Sequence, residues 1–231
     1  MSIYFGEFQP HLVANTQLYI QRKDSTVSLC PDYSANGYDF TQGVAVNQPT
    51  LGVDSIDFTT NDFMINNTAN VFSGDNSGYI FFSGYFNSAS ANYILASNDL
   101  ATNNDFITIL INASGQFQSN FRQGITNNII VGNTILTNGQ YYHGWIRSNG
   151  SVTTAKLNGV SQTLTVISGG NNGFWFNDIS NRDNLVIGAQ IRSTPLYGSA
   201  QINKVHYVSG TLSAIDLWKI EQFMSNPLNY I

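Results

Sequence analysis

Charge is what this sequence has least of. Asp, Glu, Lys and Arg make up 10% of its 231 residues, against about 25% in an average soluble domain. The nine basic residues are scattered, with Arg22-Lys23 the only adjacent pair, and the net charge is -5. A nucleic-acid backbone demands a concentrated basic surface, so nucleic acid is excluded as a partner. There is one cysteine, Cys30, which rules out an intrachain disulfide. With histidines dispersed at 11, 143 and 206, it also rules out a structural zinc site. A lone thiol of this kind is expected to be buried as a small apolar residue. Only two glutamates occur, Glu7 and Glu221, one near each end. Glycoside hydrolysis by the usual route needs two carboxyl groups about 5–10 Å apart, and no strand carries such a pair. No Gly-x-Ser-x-Gly elbow accompanies the histidines either. The sequence therefore predicts that the chain is not an enzyme. No apolar run approaches the ~20 residues of a membrane-spanning helix, so membrane insertion is not expected. The opening MSIYFGEFQP has neither the basic nor the apolar region of a secretory signal. Carriage on an assembled particle is one route outside a cell that needs none.

What replaces charge is Asn, Ser, Thr and Gly, beside 42% hydrophobic and 13% aromatic residues. Asn and Gly tolerate positive φ, and Ser and Thr bond locally to backbone, so the mixture suits short strands joined by turns. Strand-like runs recur at Ser55–Phe58, Gly78–Phe86, Tyr93–Ala96, Phe106–Ile111, Gln116–Phe121, Tyr141–Ser148, Thr153–Leu157, Leu185–Ile187 and Gln201–Val208. Asn158-Gly159 between two such runs predicts a two-residue hairpin turn. One helix is expected near the end. Ser213 is its N-cap with Asp216 three residues on, Leu217, Ile220 and Met224 share a face, and Asn226-Pro227 ends it. Residues 26–231 are read as one domain. Residues 1–25 are read as an N-terminal attachment arm, because Ile3, Tyr4, Phe5 and Phe8 are apolar before the strand pattern settles.

The run Asp32-Tyr-Ser-Ala-Asn-Gly37, then Asn47-Gln-Pro-Thr50, then Ile56-Asp-Phe-Thr-Thr-Asn-Asp-Phe63 resembles the opening of laminin G-like, concanavalin A-like domains. Asp62 is kept there, while Thr59 and Thr60 replace the usual Asp-Gly. Further on, Tyr141–Arg147, Lys156-Leu-Asn-Gly-Val160, Leu185-Val-Ile-Gly-Ala189 and Gly210–Asp216 resemble the family's later strands and the start of its closing helix, in the family's order. The resemblance implies an all-β jelly-roll sandwich of two antiparallel sheets with one short C-terminal helix. It also implies an association with phage and viral structural proteins, which often carry such modules.

Relatives of this kind often bind Ca²⁺ through loop oxygens. Asp57, Asp62, Asp99, Asp105, Asp178 and Asp183 are the candidates. Their spacing forms no calcium loop, and turn formation explains each of them. No cofactor is expected, with calcium the one ion left open. For a glycan, the best candidate is the Gly-rich loop 171–178, with Trp175 as a stacking face beside Asn172, Asn177 and Asp178. Packing of its aromatics at the sandwich edge competes with that reading. Tyr85, Tyr93, Tyr141 and Tyr142 are further residues that could line a face.

Two functions follow, with a glycoside hydrolase whose carboxylate pair converges from separate loops as a less favoured third. The first is a structural or binding module displayed on a virion surface, with the other proteins of the particle as partners and some capacity for cell-surface glycans. The second is a free or cell-surface lectin-like protein. Sheet edges that need cover point to a homo-oligomer or membership of an assembly.

Overall fold

The computed structural model describes residue 13, residues 15–21 and residues 28–228. Its strands are β1 (Thr16–Gln21), β2 (Leu29–Cys30), β3 (Phe40–Thr41), β4 (Thr50–Leu51), β5 (Ile56–Phe58), β6 (Met64–Asn66), β7 (Gly78–Phe86), β8 (Asn92–Asn98), β9 (Phe106–Ile111) and β10 (Gln116–Gln123). They continue as β11 (Thr126–Ile135), β12 (Tyr141–Ser148), β13 (Thr153–Leu157), β14 (Val160–Ser161), β15 (Leu164–Ser168), β16 (Leu185–Ile187), β17 (Ala189–Gln190), β18 (Leu196–Tyr197) and β19 (Ala200–Ser209), followed by helix α1 (Ala214–Met224).

These strands form two large antiparallel sheets. One runs β14-β13-β12-β7-β19-β5-β4, with β1 also on β19; the other runs β15-β11-β10-β9-β8-β16-β6-β3-β2. β17 and β18 pair separately as a short hairpin. The two-sheet sandwich with one terminal helix is the architecture expected from the sequence. Of the expected arm, residues 1–12, 14 and 22–25 lie outside the described residues. Thr16–Gln21 is strand β1, laid antiparallel on β19.

Alternation decides what each sheet buries. On β9, Ile107, Ile109 and Ile111 enter the central core; on β10, Phe117 and Phe121 do so. From the other sheet come Ile80, Phe82 and Phe86 of β7 and Ile202, Val205 and Tyr207 of β19. Each such side chain contributes about 1.5–3 kcal/mol on leaving water. β7 is buried on both faces. Its Tyr79 and Phe81 point the other way, under Ile220, Phe223 and Met224 of α1. Ser213 caps that helix by accepting from the Asp216 N–H at 3.1 Å.

Turn chemistry fixes register. Asn158 and Gly159 hold φ of 46° and 78°, the two positive values of a type I′ turn, and set Leu157 opposite Val160. Between β16 and β17, Gly188 sits at φ 85°, and a Cβ there would lie 2.1 Å from the Phe58 ring. Gly188→Ala is therefore expected to lower the thermal midpoint by several degrees, measured by circular dichroism against the parent chain.

Candidate functional site

The outer face of the nine-stranded sheet holds a cleft of about 320 Å³. Side chains that alternate away from the core line it, in three cross-strand rows. At one end Arg122 of β10 is paired with Phe106 of β9 and Asn127 of β11. In the middle Asn120 faces Thr108, and at the far end Gln118 faces Leu110, which is itself opposite Tyr93 of β8. The β17–β18 hairpin and its loop stand along one side and add Gln190, Arg192 and Leu196.

Local bonds place the two arginines. A tight turn with Gly124 at φ 58° joins β10 to β11. Asp105 Oδ1 accepts from the Gly124 N–H at 2.7 Å, and Arg122 Nε donates to the Gly124 carbonyl at 3.0 Å. Arg192 stacks its guanidinium 5.1 Å from the centre of the Phe106 ring. Its loop is clasped to the loop before β9 through Asn103. Asn103 Oδ1 accepts from the Thr194 N–H at 3.1 Å, and Asn103 Nδ2 donates to Thr194 Oγ1 at 3.3 Å. The Ser193 N–H adds a bond to the Thr102 carbonyl. Asn103→Ala removes two of these bonds and is expected to speed amide exchange across residues 191–195 several-fold while shifting the melting temperature little, checked by hydrogen exchange and thermal melts.

The lining contains two guanidiniums and no carboxylate, in a chain of net charge -5. Burial lowers the Arg192 pKa, Tyr93 opposes the shift, and nearby Arg122 adds to it. Burial raises the Tyr93 phenol, with Arg192 pulling it back. Thr108 Oγ1, Asn120 Oδ1, Asn127 Oδ1, Gln190 Nε2 and Arg192 Nε are buried without a hydrogen-bond partner among the described residues, and all five residues line this one cleft. A buried polar group without a partner costs about 1–3 kcal/mol. Five together approach the net stability of a domain, so the cleft is built for a polar occupant, water or ligand.

The loop favoured by the sequence lies elsewhere. Trp175 is fully buried. Its ring stacks on Phe121 at 5.8 Å and its Nε1–H donates to the Tyr207 hydroxyl at 3.2 Å. It offers no face to a ligand, because Trp175 and Phe176 both turn into the core and Phe174 packs against it. Asn172, Asn177 and Asp178 are exposed around it, and Asp178 Oδ2 closes the turn by accepting from the Trp175 N–H at 2.8 Å.

The aspartates considered for calcium are engaged in hydrogen bonds of the loops and strands that carry them. Asp62 accepts from Thr59, Asp99 from Ala101 and Thr102, Asp105 from Gln123 and Gly124, Asp183 from Leu100, and Asp57 from Ser55 and Gln201. No group of three His, Cys, Asp or Glu able to hold a metal occurs among the described residues. Of the four tyrosines, Tyr93 lines the cleft. Tyr85 and Tyr141 pack edge-on against each other in the opposite sheet, and the Tyr142 hydroxyl accepts from the Thr137 N–H. Sequence reasoning missed Arg122, Arg192 and the amides around them. The polar stripe Gln118-Asn120-Arg122, alternating with Phe117 and Phe121, was the available signal.

No protein-family model and no curated protein matches the sequence. Solved structures do. Trypanosoma rangeli sialidase superposes with a TM-score of 0.66 at 8% identity, over 93% of this chain and 34% of that one. The NanB sialidase of Streptococcus pneumoniae, in complex with 2-[(3-chlorobenzyl)ammonio]ethanesulfonate, gives 0.60 at 14% identity, over 77% of this chain and 28% of that one. The Ruminococcus gnavus IT-sialidase CBM40 bound to α2,3-sialyllactose gives 0.53 at 14% identity, over 63% of this chain and 82% of that one. The chain thus spans about a third or less of the two sialidases. These matches correct the expectation that the chain is not an enzyme. Sialidases are glycoside hydrolases with a tyrosine nucleophile, so the missing strand-borne carboxylate pair does not by itself decide the question. No family model supports the laminin G-like resemblance or the virion setting. At these identities the fold is what is shared: this chain is a β-sandwich similar to those carried by sialidases and by a sialidase CBM40.

Proposed function

We propose that this chain is a carbohydrate-binding module whose cleft on the nine-stranded sheet takes an acidic glycan, with sialylated ends as the first candidates. The observation that carries the proposal is the convergence of five unpartnered polar atoms and two guanidiniums, with no carboxylate, in one cleft. Hydroxyls and amides of a sugar bond Thr108, Asn120, Asn127 and Gln190. A carboxylate on that sugar sits between Arg122 and Arg192, where planar guanidiniums match it. A bound sialyllactose on the similar R. gnavus CBM40 supports the choice of ligand class. Calorimetric titration with α2,3-sialyllactose and with lactose tests it. Binding of the acidic sugar at least about tenfold tighter is the expected result. Equal affinity would remove the acidic preference, and no binding of either sugar would end the proposal. Display on a virion surface is a separate proposal, ended if mass spectrometry of purified particles does not find the chain.

A further inference from the structure

We propose that β15 is the contact by which two copies of this chain pair, strand against strand, extending the nine-stranded sheet across a two-fold axis. An open strand edge presents unpaired N–H and C=O groups, and proteins ordinarily shorten, charge or cover such edges. Three of the four terminal strands here, β14, β4 and β2, are two residues long. The free side of β1 is covered: Tyr19 donates its N–H to Asp32 Oδ1 at 2.9 Å and accepts from the Tyr33 N–H at 2.7 Å. Asn36 Nδ2 donates to the Gln17 carbonyl at 3.0 Å.

β15 has none of these devices except a bulge. It is five residues long and, among the described residues, pairs with β11 alone. Alternate backbone groups of such a strand point away from its partner, and no described loop or side chain bonds them on that side. Val166 is 42% exposed, and Ile167, the extra residue of the bulge, 61%. Val160 of β14, the strand just before β15 in the chain, is 63% exposed.

Charge identifies the occupant. From Leu157 to Phe176 the chain carries no Asp, Glu, Lys or Arg. A two-fold contact places every residue near its own copy, so any charge in it repels itself. In a molecule of net charge -5, the exposed residues of this uncharged run, Val160, Val166 and Ile167 among them, are ones on which a second copy meets no like charge. Pairing β15 with its copy antiparallel needs no other partner.

The geometry has a functional consequence that rests on the glycan-binding proposal. A two-fold axis perpendicular to the sheet keeps both outer faces on one side. Two clefts then face the same surface, and linked sites bind a dense array far more tightly than one site does.

Sedimentation velocity of the full chain, without sugar, is the test. The expected result is a dimer at tens of micromolar, with Val166→Lys and Ile167→Lys each raising its dissociation constant more than about tenfold. Unchanged circular dichroism and melting temperature show that both variants remain folded. Val53→Lys, at a 93% exposed apolar residue away from β15, should leave the dimer intact. A monomeric parent chain, a dimer that survives both β15 variants, or equal dissociation by Val53→Lys overturns the proposal. Because no sugar is present, failure of the glycan reading leaves this result standing, and the converse also holds.

Discussion

Arg192→Gln is expected to lower affinity for sialyllactose by more than about a hundredfold. The side chain stands over Phe106 and is partly desolvated by the hairpin loop that carries it. Truncating one partner of a buried, hydrogen-bonded charge pair costs about 2–5 kcal/mol, much of it from leaving the other charge unpaired. About 2.8 kcal/mol is already a hundredfold. The cost to folding is small, because among the described residues this guanidinium makes a single long hydrogen bond, from Nη1 to the Asn103 carbonyl at 3.5 Å. Calorimetry and a thermal melt of the same sample separate the two effects. Affinity within threefold of the parent chain would place the acidic group away from Arg192. Arg122→Gln should have the same sign, and salt should weaken binding in the parent chain more than in either variant.

The fold was far more legible than the cleft, for physical reasons. Aromatic and β-branched runs bounded by Asn-Gly and Ser-Gly turns locate strands by local chemistry alone, and β7, β9, β12, β13 and β16 begin and end where the sequence pattern does. β11 was not legible. Its sequence Thr-Asn-Asn-Ile-Ile-Val-Gly-Asn-Thr-Ile reads as turn at both ends, yet it forms because β10 on one side and β15 on the other take its backbone bonds. The cleft draws on β8, β9, β10, β11 and the β17–β18 hairpin, segments 93 to 196 in the chain. Arg122 and Arg192 are seventy residues apart in sequence, as their numbers show. Sheet order alone brings them together, and no local motif encodes sheet order. The aromatic loop 171–178 misleads for the opposite reason. A Trp among Gly and Asn is locally what a sugar platform looks like, and only the depth of the core behind it shows otherwise.

That difference gives the second large effect. Trp175→Ala should cost about 3–5 kcal/mol of stability, the range for deleting a large buried aromatic side chain. Trp175→Phe should cost less but still measurably. It loses the bond to Tyr207, whose hydroxyl also donates to Asp75 Oδ2 at 2.6 Å, and it leaves a small void against Phe121 and Phe176. Burial and Asp75 push the Tyr207 phenol well above its usual range, so this hydroxyl stays protonated and keeps donating to Asp75 after the indole N–H is gone. Urea unfolding should show a lower midpoint with an unchanged slope. Affinity for sialyllactose should stay within about twofold in the Phe variant, since the ring packs on the core face of β10 and Asn120 and Arg122 lie on the other. A folded Trp175→Phe protein that no longer binds would put the ligand at the 171–178 loop instead. Partial loss would have a definite meaning too. Phe121 is the neighbour of both Asn120 and Arg122 along β10, and Ser180, just past the loop, donates its N–H to Gln123 Oε1 at 2.6 Å, so both routes from this core substitution reach the cleft at Arg122 and should weaken Arg122-dependent binding before Arg192-dependent binding.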